Sequence, residues 1–155
     1  NDCKYGLSVL GGSMRLSLHK GGMRPDNQGD KGRHRCRYAI LPHAEAFGAE
    51  SVIRPAYAFN YAPVLLESGA ELPALAAADK PNILIEAVKP CEDAGRAYIL
   101  RLYEATGDYT TAKLTLSHAV TGVHECNMLE EEQGEVDVNA LVFRPFEIKT
   151  LKVSY

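Results

Sequence analysis

The amino-acid sequence predicts an all-β chain, an antiparallel β-sandwich, and three observations carry that expectation. From Asn82 onward, short strand-like runs alternate with turn material at regular spacing, as sandwich strands do. Near the start, two apolar-alternating runs flank Gly11-Gly12, a pair that tolerates the positive φ of a two-residue hairpin turn. Between these regions, residues 34–41 and 52–61 alternate with period two, which is the period of a half-buried strand.

The hairpin comes first. Folding 5–10 against 13–19 sets Val9 opposite Met14, Leu7 opposite Leu16 and Tyr5 opposite Leu18. These six share one face and Gly6, Ser8, Arg15 and Ser17 the other, so burial would specify the register. The loop 20–33 follows, with Met23 as its one apolar residue. His34, Cys36, Tyr38 and Ile40 then alternate with Arg35, Arg37, Ala39 and Leu41, predicting a strand that Pro42 ends. Arg33, Arg35 and Arg37 would line one side of it, either as a solvated face or as a surface docking an acidic part of a larger protein.

Residues 43–51 are compatible with a helical turn, and 52–61 read as extended, with Tyr57, Phe59 and Tyr61 on one face. Such a face is core; with its rings exposed side by side it would instead be a sugar-stacking platform. Residues 62–81, with Pro63, Pro73, Pro81 and an alanine-rich run, read as a linker, the run being the alternative site of a short helix. Beyond it, strands are predicted over 83–89, 97–104, 112–117, 122–126, 136–143 and 146–153, with turns at 90–95, 106–108 and 130–134. The run 97–103 is apolar on both faces and reads as a central strand. In the last strand Phe146 and Ile148 give way to Leu151 and Val153, a change of phase that a bulge near Thr150 would produce.

A chain of 155 residues has room for one domain or two small β units. Its net charge of −3, with signs interspersed, offers no basic stripe for nucleic acid. No apolar run approaches the roughly 20 residues that span a bilayer, and no signal-peptide pattern opens the chain. The chain starts at Asn1, inside what reads as a strand entrance, so we expect a piece of a longer protein. Cys3, Cys36, Cys91 and Cys126 lack paired spacing and read as reduced thiols of a cytosolic protein, with Cys36 a small hydrophobe in its strand.

Asp26, Asp30 and His34 stand at i, i+4 and i+8 of a glycine-bearing loop, with Lys20 at its entrance. Carboxylates accept hydrogen bonds from sugar hydroxyls and imidazole donates or accepts one, so the loop is a candidate border of a substrate cleft. The competing reading is local: Asp side chains close turns, and His34 begins a strand. Glu130, Glu131, Glu132 and Glu135 read as a solvated turn, and His118 and His124 as surface residues at a poor metal spacing. No nucleotide loop, nucleophile elbow or Cys/His catalytic signature is present.

Five stretches, in register, resemble the C-terminal region of glycoside hydrolase family 38 alpha-mannosidases, most closely the cytosolic and bacterial branch. They are NDCKYG (1–6), LSLHKGGMRPDNQGDKGRHRCRYAILPH (16–43), AYAFNY (56–61), LRLYEATG (100–107) and FRPFEIKTLKV (143–153). The resemblance implies part of a larger β supersandwich over 1–61, a linker, and a small C-terminal β-sandwich over 82–155. It implies a parent enzyme that is a retaining exo-glycosidase, with nucleophile and zinc ligands on an upstream catalytic α/β domain whose motifs do not occur here. This chain would then hold neither catalytic residue nor metal, would pack on that domain, and would meet oligosaccharide only through the parent enzyme. Homo-oligomer contacts are a further role it admits, the location would be cytoplasmic, and strands upstream of Asn1 would pair with residues 1–61. Lys20 stands where many relatives have Arg, which weakens any bidentate contact, and Cys36 stands where they have Phe. A free-standing carbohydrate-binding module and a purely structural fragment are the competing readings.

Overall fold

The computed structural model describes residues 6–155 except 30, 66, 68, 70–72 and 94. It divides into two compact units, one of 1–44 with 54–64 and the other of 45–53 with 65–155.

In the first unit β1 (Leu7–Leu10) and β2 (Ser13–Leu16) form the expected hairpin, with Leu7 opposite Leu16 and Val9 opposite Met14. Gly11 and Gly12 take φ of 56° and 74°, the pair of left-handed residues that a type I′ turn needs. The expected Tyr5 pairing lies outside the described residues. The apolar face is not buried: Leu7, Val9 and Met14 are 58%, 70% and 61% exposed.

Two expected strands of this unit are not formed. Residues 34–41 are exposed chain without a ladder, so Cys36 is not a core side chain. Alternation marks which face a strand would bury, but a ladder needs a neighbouring strand, and among the described residues β1 and β2 pair only with each other. Residues 54–60 are helical: α1 (Arg54–Asn60) replaces the aromatic strand. Ala56 and Ala58 favour helix, and Pro55 is tolerated in the first turn. The helix regroups the rings, stacking Tyr57 on Tyr61, four residues on, with centroids 5.4 Å apart. Phe59 lies instead under the Arg37 guanidinium at 5.3 Å, and its carbonyl accepts from Arg37 at 3.1 Å.

The second unit opens with a π-helical turn, Ala49–Ile53, and is otherwise a sandwich. Its main layer is a five-stranded antiparallel sheet in the order β4 (Ile83–Pro90), β5 (Ala97–Glu104), β11 (Ile148–Ser154), β8 (Gly122–Cys126) and β9 (Glu132–Glu135). The other layer is two antiparallel pairs, β3 (Ala76–Ala78) with β7 (Leu114–Leu116) and β6 (Thr110–Ala112) with β10 (Leu141–Phe143). Leu100, Leu102, Leu151, Val153 and Val123 from the sheet meet Ala112, Leu114, Leu141 and Phe143 from the pairs in one buried cluster. β5 is internal and buried on both faces, as its sequence predicts.

Several boundaries differ from expectation. The alanine run is a strand, β3, rather than linker or helix, because small side chains let it lie against β7. The run 112–117 breaks at Lys113, whose N–H goes to Asp79 Oδ1 at 2.7 Å, so the two halves pair with different strands. Residues 130–134 are not simply a turn, since β9 begins at Glu132. The strand expected from 136 starts only at Leu141, because Asp137 closes a turn by accepting the Asn139 N–H at 2.8 Å. No bulge occurs at Thr150, as β11 pairs with β5 without a break. Phe146 resets the phase instead, at φ 56° just before the strand, and register shifts fall between Ile85 and Ala87 and between Glu125 and Cys126.

Candidate functional site

The loop between β2 and the extended chain holds the four sequence-based candidates. Ser17 donates its N–H to the Gly6 carbonyl at 3.1 Å, closing the hairpin base from which the loop departs. Asp26 closes its own turn: Oδ1 accepts the Gln28 N–H at 2.9 Å and its carbonyl the Gly29 N–H at 3.2 Å. The His34 ring lies against His19, centroids 4.4 Å apart, which draws the two ends of the loop together. Lys20, Asp26 and His34 are all exposed. Asp30 lies outside the described residues. The structure therefore brings His34 to His19 and commits one Asp26 oxygen to local geometry.

Two buried carboxylates of the second unit were not singled out by the sequence. Glu104, at the end of β5, is fully buried. It accepts from the Thr106 N–H (2.8 Å), the Thr106 hydroxyl (2.6 Å), the Gly107 N–H (2.6 Å), the Phe146 N–H (3.0 Å) and Asn82 Nδ2 (2.9 Å). Burial opposes its ionisation, but these donors outweigh it and hold the carboxyl at about 2, far below the ordinary 4.5. The signal available in sequence was a Glu two residues before Thr-Gly at a strand end, the make-up of a side-chain-closed turn.

Glu130 corrects the reading of its cluster as a solvated turn, being only 6% exposed. Its Oε2 accepts the Glu92 N–H at 2.8 Å and the Cys91 thiol at 3.3 Å, while Oε1 meets Lys89 Nζ at 2.5 Å. The Glu92 amide and then the Lys89 ammonium hold this carboxyl at about 2. Asn127 shapes the turn beneath it, its Oδ1 accepting from Leu129 at 2.9 Å and Glu131 at 3.1 Å. A partner thirty-eight residues away in the chain leaves no local sequence mark.

Residues 82–151 match the family model described as "Glycosyl hydrolases family 38 C-terminal beta sandwich domain". The chain carries that family 38 domain. It is 35% identical to the human protein "Alpha-mannosidase 2C1", over 97% of this chain and 16% of the relative. It is 34% identical to "Alpha-mannosidase G" of Dictyostelium discoideum (98% and 15%) and 26% identical to "Alpha-mannosidase" of Saccharomyces cerevisiae (100% and 17%). The chain thus spans about one sixth of the length of the curated relatives it matches.

The segments 100–107 and 143–153 of the sandwich meet at the Glu104 carboxylate. Among the described residues no three His, Cys, Asp or Glu side chains are grouped to hold a metal ion. Among the described residues no helix is long and apolar enough to cross a membrane.

Proposed function

We propose that the chain is a non-catalytic C-terminal segment of an alpha-mannosidase, a retaining exo-glycosidase acting on alpha-mannosides. In this reading the nucleophile and zinc stand on an upstream α/β domain, the segment packs on that domain, and it hydrolyses nothing alone. The observation that carries the reading is the exposed apolar hairpin face of Leu7, Val9 and Met14, of which Leu7 and Met14 line a groove with Leu18, Tyr38 and Ile40. A soluble monomer rarely leaves such a patch uncovered, whereas a segment of a larger body presents it to its neighbour.

The loop of Lys20, Asp26, Asp30 and His34 borders the sugar cleft of the parent enzyme in this reading, which the exposure of Lys20, Asp26 and His34 supports. The enzyme is cytoplasmic, meets oligosaccharide at that cleft, and homo-oligomer contacts fall to the same outward surfaces. The test uses the intact enzyme. Val9→Glu is expected to destabilise it and lower its activity by loosening the packed face, and Asp30→Ala with His34→Ala to lower kcat/KM on a mannosyl disaccharide about tenfold or more. Wild-type values for the loop variants remove the loop role; a Val9→Glu enzyme as stable as the parent removes the packing. A free-standing carbohydrate-binding module, the competing reading, requires the hairpin face to be solvated in every natural form of the protein.

A further inference from the structure

The five-stranded sheet has a face turned away from the core. Leu100, Leu102, Leu151 and Val153 point inward, so Ile99, Arg101, Ile148, Thr150 and Lys152, which alternate with them, point outward. The chain itself covers one end of that face. Ile99 is fully buried there, Lys152 pairs with Glu132 at 3.0 Å, and Glu130 reaches Lys89, which stands opposite Ile99. Toward the other end the cover stops. Ile148 is 58% exposed, and Met128, whose sulfur accepts the Thr150 hydroxyl at 3.8 Å, is 61% exposed. Arg101 stands at this boundary, half-buried, directly opposite Thr150 on a strand with neighbours on both sides. Each lysine of these strands, Lys89, Lys149 and Lys152, meets a carboxylate. Arg101 does not. Among the described residues its one polar contact is from Nε to the Thr150 hydroxyl, at 3.3 Å. The two terminal nitrogens, the pair that grips a carboxylate bidentately, are left without a protein acceptor.

We propose that this face docks an apolar segment of the same, longer polypeptide, outside residues 1–155, and that the segment carries an Asp or Glu for Arg101. Charge complementarity chooses the occupant. A cation partly withdrawn from water is costly until an anion meets it. Here one such cation is set among Ile148, Met128 and Thr150, which suits a single carboxylate in apolar surroundings rather than a polyanion. The length of the relatives agrees. The chain matches 16% and 15% of two mannosidases, so most of such a polypeptide stands outside the sandwich. The inference rests on the reading that this segment packs within a longer enzyme, and adds a face that belongs to the sandwich unit rather than to the hairpin.

The full-length protein carrying Arg101→Lys is treated with a water-soluble carbodiimide, which joins an ammonium to a carboxylate in direct contact, and is mapped by mass spectrometry. Lys152 with Glu132, 3.0 Å apart, is the internal control. A cross-link from position 101 to an Asp or Glu outside residues 1–155 is expected. No cross-link there while the control forms overturns the proposal. So does one confined to residues 1–155, or one that joins light to heavy chains in an isotopic mixture. Ile148→Cys tests the apolar part of the face separately. Its thiol is expected to react with a maleimide at least about tenfold more slowly in the native full-length protein than in urea. A slowing of only about twofold, which the 58% exposure of Ile148 alone would give, overturns the docking. Val9→Glu reports on the hairpin face and mannoside turnover on the parent activity, so a failure of either is distinct from a failure here.

Discussion

Phe146 donates its backbone N–H to Glu104 Oε2 at 3.0 Å, joining residues forty-two apart in sequence. The same carboxylate holds Thr106 and Gly107, and the Glu104 N–H returns a bond to the Glu147 carbonyl at 3.0 Å. The end of β5 and the entrance to β11 are therefore one device, closed by a buried anion. Its donors Asn82, Thr106, Gly107 and Phe146 are all uncharged. Amides and hydroxyls solvate it in place of water.

Replacing that anion is expected to be costly. Glu104→Gln keeps the shape but turns an amide N–H₂ toward donors, and about 2–3 kcal/mol of stability is expected to be lost; Glu104→Ala strands several buried N–H groups and is expected to cost more. Urea denaturation of the full-length protein measures both. A Gln variant as stable as the parent contradicts the account.

The depressed carboxyls set the acid response. Glu104 and Glu130 titrate at about 2 folded, against an ordinary 4.5, so the unfolded chain binds these protons first. The stability they contribute is complete above the unfolded value and is lost as the pH falls from about 4.5 toward 2. Melting temperature should drop across that window, and the Glu104→Gln variant should show a shallower drop. Parallel curves for the two proteins count against the assignment.

Gly107 is constrained twice. Its φ is +86°, and a Cβ there would meet Phe146 Cζ at 2.8 Å. Gly107→Ala is expected to cost about 2 kcal/mol, combining backbone strain and overlap. Adding Phe146→Ala should recover the overlap and leave the backbone part, so a double-mutant cycle should show a favourable coupling. Strict additivity would mean that the ring contact is immaterial.

At the hairpin turn a side chain would meet backbone strain without crowding. Gly11 and Gly12 have positive φ, and a Cβ at either position would meet nothing within 4 Å. Gly12→Val is therefore expected to speed hydrogen exchange at Leu10 and Arg15 about tenfold, by roughly 1–2 kcal/mol of strain, while the β5 amides are unmoved. Equal protection in both proteins would show that the turn conformation is not what holds β1 to β2.

Much of the sandwich was legible. Residues 97–104 and 122–126 carry their strands at the expected ends, and the Gly11-Gly12 turn carries its register, because local pattern and tertiary pairing agree there. Residues 34–41 and 57–61 misled for one reason: alternation describes the face a segment can present, not whether a neighbour exists to pair with it. Tyr57 and Tyr61 satisfy period two and also the i, i+4 spacing of a helix, and the alanines at 56 and 58 decide for the helix. Of the candidate loop, the turn chemistry of Asp26 was readable and the His19–His34 contact was not, since it depends on how the hairpin returns the chain. Glu130 was hidden because its partners come from a distant segment, and Glu104 because only its Thr106 and Gly107 donors are local while Asn82 and Phe146 are not.

The outermost strands of the five-stranded sheet carry a further consequence. One, β4, is interrupted by a register shift at Glu86 and ends on Pro90, which has no N–H to offer. The opposite one, β9, exposes all four of its residues, with Glu132 and Glu135 at its ends. An incoming strand would meet a kink on one flank and like charges on the other. Both flanks are therefore poor templates for edge-to-edge strand addition.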